Sequence, residues 1–600
     1  MARTPAPPRT HPGAQHRPNR RLGPVIAFAT VAFLIGAIVG ASHRSSADQD
    51  LAARFVRAWA QRDYATLYSL IDPATRREIS ATGLAELYAQ AQNTATATSM
   101  RALGKPRLGS DGVVSVAVLV HTRLFGTLRS TFQLPIRGSG SAARIAFSDS
   151  LEFPGLRPGE RLHRQMTLPP RAPLLARDGS VLASGPATTP GERSSPLGSA
   201  GGAIVGSIGP IPADRLAELE AEGVPSNANV GVSGLELAED ARLRGTPGGE
   251  LLAGERVLAS ASPHVPSAVR STISSSLEQA AVSALGGQYG GLVALQPSTG
   301  EVLAVAGIGL DGLQPPGSTF KMVTVTGVLQ AGVARTSSNF PYATYSTLDG
   351  VKLSNANGEE CGGSLTLAFA VSCNSVFAPL GVKLGARRLV ATAESFGFNH
   401  DPGIPGAAKS TIPPATQIQG ELDLGSTAIG QGQVQASALQ MAIVAATIAD
   451  GGHRPTPTFT PVSESAPAQR TSVPAISASV AHTVRRLMIE VVREGTGTAA
   501  AIPGVVVAGK TGTAELGSPT CPSGSQAESR EATSTSTSPP EHCSSSTPNP
   551  ENTDAWFAAF APALHPKIVV GVLLVKDGAG GSTAAPVARQ VIEAALQSHL

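Results

Sequence analysis

Three short clusters in this chain pair a hydroxyl with a group able to move a proton or hold a carboxylate. The first is Pro316-Gly317-Ser318-Thr319-Phe320-Lys321. Pro and Gly ahead of Ser suit a turn into a helix start. A helix beginning at Ser318 places Lys321 one turn on, on the same face. Serine is a weak nucleophile that needs a base, and a lysine that burial has stripped of its proton is such a base. The second cluster is Ser372-Cys373-Asn374, where the hydroxyl can relay a proton and the amide can hold a substrate amide. The third is Lys510-Thr511-Gly512-Thr513-Ala514-Glu515, after the strand-like run 505–507. Glycine on a strand edge lets a substrate backbone lie alongside, and the lysine and hydroxyls suit a carboxylate. Each cluster alone is weak: S-x-x-K recurs by chance in long chains, Ser and Asn gather in turns, and Lys-Thr-Gly also reads as a hairpin turn.

Their order and setting carry more. Ser372 follows Ser318 by 54 positions, and Lys510 follows Ser372 by 138. Lys and Arg total 46, yet only eight are lysine, and two of those eight fall in the clusters. A chain that uses Arg for plain positive charge keeps Lys where a proton must be lost.

The elements that must position these residues form an α+β pattern from about residue 266 onward. A helix is expected over 272–285, then strands over 291–295 and 302–306 flanking the turn 297–300. Helical stretches follow as far as residue 449, and a near-continuous apolar strand (567–575) and a closing helix (584–596) end the chain. The spacing predicts one sheet built from both ends of this segment, with a helical subdomain between. The stretch 517–552 is rich in Ser, Thr, Pro and Glu and has too few apolar residues to fold alone, so it reads as a disordered insertion.

Upstream, 46–150 reads as a small α+β domain. Leu51, Phe55, Trp59, Leu67 and Leu70 recur near helical spacing, and strands are expected over 113–121 and 128–136. Residues 151–265, rich in Pro, Gly and Ser, read as an extended connecting domain with little core of its own, and 188–202 is linker-like. The run 22–42 carries no charge and spans about 30 Å as a helix, the thickness of a bilayer core. Five arginines lie in the tail 1–21, which puts that tail in the cytoplasm and the rest outside. Gly40-Ala41 also offers a signal-peptide cleavage site, though the length of the run favours a retained single-pass anchor. Cys361, Cys373, Cys521 and Cys543 all lie beyond it, where disulfides are tolerated. Neighbours in sequence favour Cys361–Cys373 and Cys521–Cys543; free thiols are the alternative. A net charge of +3 with no long basic patch requires no nucleic-acid partner. No metal-ligand spacing appears, and no cofactor is implied.

The trio S-x-x-K, S-x-N, K-T-G in this order is shared by serine β-lactamases and penicillin-binding proteins. The chain from about residue 267 resembles the transpeptidase domain of the latter. Supporting stretches are GEVLAVAG around Ala304-Val305, the GQG at 430–432 with Leu439-Gln440-Met441-Ala442, Gly495-Thr496-Gly497, and DAWFAAFAP at 554–562. Arg177-Asp178-Gly179, Gly234-Leu235-Glu236 and Leu243-Arg244-Gly245 resemble the family's pedestal, or dimerisation, domain. Residues 46–150 resemble the cone-like front domain of some class B members. No glycosyltransferase-like segment is seen, which within the resemblance implies the monofunctional class B type.

The resemblance implies a peptidoglycan D,D-transpeptidase. Ser318 would be the nucleophile, Lys321 the general base and Ser372 the proton relay. Asn374 would orient the donor stem peptide, Lys510 support the electrostatics, and Thr511, Gly512 and Thr513 line the carboxylate site. The implied partners are stem peptides, β-lactams, the cytoplasmic membrane and proteins of the division or elongation machinery. The alternatives are a D,D-carboxypeptidase or β-lactamase-like hydrolase, and a non-catalytic β-lactam sensor or cell-wall scaffold. The anchor and large front domains argue against a β-lactamase.

Overall fold

A computed structural model describes residues 46–187, 193–462, 472–515 and 552–598. The apolar run 22–42, the insertion over 517–552 apart from Asn552, and Cys521 and Cys543 lie outside the described residues. Among the described residues no helix is long and apolar enough to cross a membrane.

Two compact units divide the chain. One takes the residues up to Thr167 with Glu218–Pro225 and Pro247–Pro263; the other takes Leu168–Ala217, Ser226–Thr246 and everything from His264 on. In the first, a helix over 46–60 buries Leu51, Phe55 and Trp59, and Leu67 and Leu70 are buried with them. Phe132 meets both Phe55 and Trp59 edge-on. Phe132 lies on the strand Thr127–Arg137, which pairs antiparallel with Val113–Thr122. Both expected strands are therefore present, each slightly longer than its sequence pattern. A further antiparallel sheet joins Leu162–Thr167, Gly248–Ala253 and Arg256–Ala261.

In the second unit, the segments around residues 172–243 share one apolar core with the catalytic part: Leu174, Leu182, Ile204, Leu235 and Leu243 cluster with Val293, Val302 and Phe320. Their own distinguishing feature is a buried ion network. Arg171 meets Glu236 at 2.7 Å and Asp240 at 2.8 Å, and Arg193 meets Glu236 at 2.5 Å. Arg177, of the Arg-Asp-Gly stretch, reaches Glu301 on the turn of the catalytic hairpin at 2.6 Å.

The catalytic elements are numbered along the chain: α1 Ser275–Leu285, β1 Gly290–Leu295, β2 Val302–Gly307, α2 Lys321–Gln330, α3 Leu365–Ala370, α4 Asn374–Leu384, α5 Ala438–Ala449, α6 Ala478–Arg493, β3 Ala508–Glu515, β4 Thr553–Ala561, β5 Ile568–Leu574 and α7 Ala584–Gln597. The five strands form one sheet in the order β2–β1–β5–β4–β3, every neighbour antiparallel. Both ends of the segment build it, as the sequence pattern implies. Strands β1, β4 and β5 are buried along their whole length, because helices cover both faces. Helices α1 and α7 pack on one face, and α5, all of whose residues are buried, packs on the other.

One expectation is corrected. The run 505–507 is not a strand; only Val505 forms an isolated bridge, with Ile502. The Lys-Thr-Gly cluster does not follow a strand but lies inside β3. Ala, Gly, Lys and Glu have low β propensity, and what makes 508–515 a strand is its eight-residue pairing with β4. That pairing crosses the insertion and leaves no local pattern.

Candidate active site

The nucleophile candidate sits where three backbones nearly touch. Gly317–Phe320 form one 3₁₀ turn that runs directly into α2, so Lys321 follows Ser318 on the same side. Gly317 has a φ of +51°, a left-handed conformation natural to glycine. A Cβ there would lie 2.8 Å from the Thr513 carbonyl oxygen. Its N–H donates to Gly430 O of the GQG loop at 2.9 Å, and Gly430 in turn has no room for a side chain against Gly317 O. These contacts fix Ser318 against the K-T-G strand, which is the free edge of the sheet.

Lys321 and Lys510 are both fully buried, at 0% exposure. Lys321 Nζ donates to Ser372 O at 2.6 Å and to Asn374 Oδ1 at 2.7 Å, with Ser372 Oγ at 3.3 Å. Lys510 Nζ donates to Ser372 Oγ at 2.9 Å and to Thr511 O at 3.0 Å. Ser372 is thus the bridge between the two lysines. It holds a φ of +63°, uncommon for a non-glycine residue and the kind of strain that persists where surroundings over-determine it. Its loop joins α3 to α4, and the next residue, Cys373, is tied to Cys361 by a disulfide.

Among the described residues no carboxylate pairs with either amine, and burial governs their protonation. Burial pushes Lys321 well below the ordinary lysine range, and the like charge of Lys510 pushes it further. Burial brings Lys510 down to about 7. Aromatic faces oppose this in part: Lys321 lies 5.6 Å from the ring centre of Phe377 and Lys510 5.6 Å from that of Phe369. A neutral amine has two N–H groups and a lone pair. The two short bonds of Lys321 occupy the N–H groups and leave the lone pair to take a proton.

The hydroxyls of β3 have partners that the sequence does not advertise. Thr511 Oγ1 lies 2.5 Å from Thr496 Oγ1, and Thr496 N donates to Ala370 O at the end of α3. Thr513 Oγ1 accepts from Gly580 N at 3.3 Å. Thr496 belongs to the Gly-Thr-Gly stretch between α6 and β3, which is its only signal in sequence. Phe369, Phe377 and Gly580 carry none.

The penicillin-binding protein transpeptidase domain matches residues 290–593, a span holding all three clusters. The chain belongs to this family. The penicillin-binding protein dimerisation domain matches residues 187–256. The chain is 34% identical over 431 residues to the peptidoglycan D,D-transpeptidase PbpA of Mycolicibacterium smegmatis, covering 61% of this chain and 80% of that one. Among solved structures, the penicillin G acyl-enzyme of penicillin-binding protein A from M. tuberculosis is similar with a TM-score of 0.53 and 28% identity, over 71% of this chain and 100% of that one. PBP2 of Pseudomonas aeruginosa in complex with WCK 5153 is similar with a TM-score of 0.58 and 26% identity, over 72% and 96%.

Proposed function

We propose that this chain is a serine D,D-transpeptidase that cross-links peptidoglycan stem peptides through an acyl-enzyme on Ser318. The observation that carries the reading is the hydrogen-bonded chain Lys321–Ser372–Lys510, whose first member follows Ser318 by one 3₁₀ turn. Ser318 Oγ attacks the carbonyl of the penultimate D-alanine and gives its proton to the lone pair of Lys321. The backbone N–H groups of Ser318 and Thr513 hold the oxyanion. Ser372 delivers a proton to the departing D-alanine nitrogen as the peptide C–N bond breaks. Asn374 orients the donor amide, Lys510 supports the electrostatics of the cleft, and Thr511 and Thr513, with Gly512 between them, hold the terminal carboxylate. An amine of a neighbouring stem peptide then attacks the ester, loses its proton to the same relay and restores Ser318. β-Lactams, shaped like acyl-D-Ala-D-Ala, acylate Ser318 and leave slowly.

In this reading residues 22–42 anchor the chain in the cytoplasmic membrane and the catalytic segment faces outward, where peptidoglycan lies. Residues 46–150 and 151–265 act as front and pedestal domains. Partners from the division or elongation machinery would dock on these front parts. Cross-linked muropeptides compared between cells making the wild type and Ser318→Ala test the function. Cross-linking should fall in the variant, with penicillin labelling abolished. Unchanged cross-linking together with an unlabelled wild type would sink the reading.

A further inference from the structure

The strained loop that carries Ser372 must be held by something outside it. Helix α4 begins at Asn374 with Cys373 as its N-cap, and Cys373 offers no side-chain hydrogen bond to the first turn. The first turn of a helix has N–H groups without intrahelical partners, and capping by a side chain ordinarily comes from the N-cap itself. Here it comes from a residue 20 positions upstream: Asn355 Oδ1 accepts from Ser375 N at 2.8 Å.

Asn355 is buried, at 5% exposure, and its other side-chain atoms are fully engaged. Nδ2 donates to Ala343 O at 2.7 Å and to Glu359 O at 2.9 Å. Its backbone N–H donates to Thr344 O at 2.9 Å, and its carbonyl accepts from Gly358 N at 3.1 Å. The residue before it completes a clasp, because Ser354 O accepts from Asn374 Nδ2 at 2.9 Å. Two consecutive residues of one segment thus grip two consecutive residues at the head of α4. On the far side of that grip, Asn374 Oδ1 and Ser372 O are the two short acceptors of Lys321.

We infer that Asn355 is a positioning residue for the acyl-transfer reaction: it caps α4 in trans and thereby sets where Asn374 and Ser372 meet Lys321. The inference rests on the transpeptidase reading of the same site. It assigns Asn355 no contact with substrate. Losing the cap frees the loop to relax from its left-handed backbone and draws both acceptors away from Lys321. That weakens support for the Lys321 cation, so the amine loses its proton at lower pH, while Ser372 no longer lines up between the two lysines.

The test is the rate constant of acylation by a fluorescent penicillin, measured on the purified full chain in detergent as a function of pH and normalised to the fraction of molecules that label. For Asn355→Ala the labelled fraction should hold, the rate constant should fall at least tenfold, and the acid limb of the profile should move to lower pH. Asn355→Asp guards against a variant that does not fold. It keeps an acceptor for Ser375 N, but its second oxygen faces the Ala343 and Glu359 carbonyls without a proton to offer. Its deficit relative to wild type should be large at neutral pH and shrink toward acid pH, where the carboxyl is protonated. A reduced labelled fraction with an unchanged rate constant and an unchanged acid limb in both variants would overturn the inference and leave Asn355 a purely structural residue. A wild type that does not label at all would instead refute the transpeptidase reading beneath it.

Discussion

Replacing Lys510 by Met separates what this lysine contributes to catalysis from what it costs in stability. The methionine keeps an unbranched apolar stem and removes the amine. Lys510 titrates near 7 in the fold and near 10.4 in an unfolded chain. Its folded value is depressed, so between those two values the unfolded chain binds more protons and wild-type stability rises with pH. Below about 7 the penalty is complete and amounts to roughly 5 kcal/mol at 1.36 kcal/mol per pH unit. Against it stand the hydrogen bonds to Ser372 Oγ and Thr511 O. Leaving such buried acceptors unpaired costs about 1–3 kcal/mol. Lys510→Met should therefore be about 2–4 kcal/mol more stable than wild type below pH 7, with the gain shrinking to zero at about pH 8–10 and turning into a loss of about 1–3 kcal/mol above that. Acylation should move the other way. The variant loses the hydrogen bond to Ser372 Oγ, charge-assisted below about pH 7 and worth about 1.5–3 kcal/mol there, or roughly ten- to a hundredfold in rate, and about 0.5–1.5 kcal/mol where the amine is neutral. It also loses the positive charge that depresses Lys321, so the acid limb of acylation moves to higher pH. Thermal unfolding at pH 6, 8 and 10 and penicillin acylation across the same range read both effects. A variant less stable at pH 6, or one that acylates at the wild-type rate with an unmoved acid limb, refutes the reasoning.

Glu278 on α1 is fully buried, accepts from Val305 N at 2.8 Å with one oxygen, and burial pushes its carboxyl up to about 8. The folded state holds the proton between the unfolded value near 4.3 and about 8, so wild-type stability falls across that window; Glu278→Gln keeps the acceptor, and its melting temperature should match wild type near pH 4.5 and exceed it by several degrees at pH 8. Thr496→Val keeps the shape of the side chain but leaves Thr511 Oγ1 without its 2.5 Å partner. A cost of about 1–2 kcal/mol is expected in thermal unfolding, with a five- to thirtyfold fall in acylation rate among the molecules that remain folded, and an unaltered rate would remove Thr496 from the site.

What was legible in the sequence follows from how local each requirement is. Ser318 and Lys321 must share a helix face, and Ser372 and Asn374 must flank one residue, so chemistry writes them at fixed short spacing. The apolar strand 568–574 and the buried positions of the first helix were equally local. Asn355, Thr496, Phe369 and Phe377 were not legible, because their roles exist only across space: Asn355 acts 20 residues away and Thr496 reaches Ala370 across 126. The start of β3 was misplaced for the same reason, since a partner strand beyond an insertion decides it. The region 151–265 reads as having little core because its apolar residues are shared out: Leu174, Leu182, Ile204, Leu235 and Leu243 complete a core that the catalytic segment owns, while Leu151, Phe153, Leu156 and Leu251 join the core of the first unit, and its buried Arg–Glu–Asp network is nothing that composition reveals.

Lysine content alone does not pick out the site. Six of the eight lysines lie exposed on the surface, at 105, 352, 383, 409, 567 and 576, and serve as plain charges after all. Only Lys321 and Lys510 are buried, which is the condition that arginine could not meet: a guanidinium does not surrender its proton at neutral pH, whereas a desolvated ammonium does. Scarcity therefore did not make each lysine functional. It lowered the number of places where a buried, neutral amine could occur by accident, and the hydrogen bonding of both buried lysines to one strained serine sets this four-letter pattern apart from its chance occurrences.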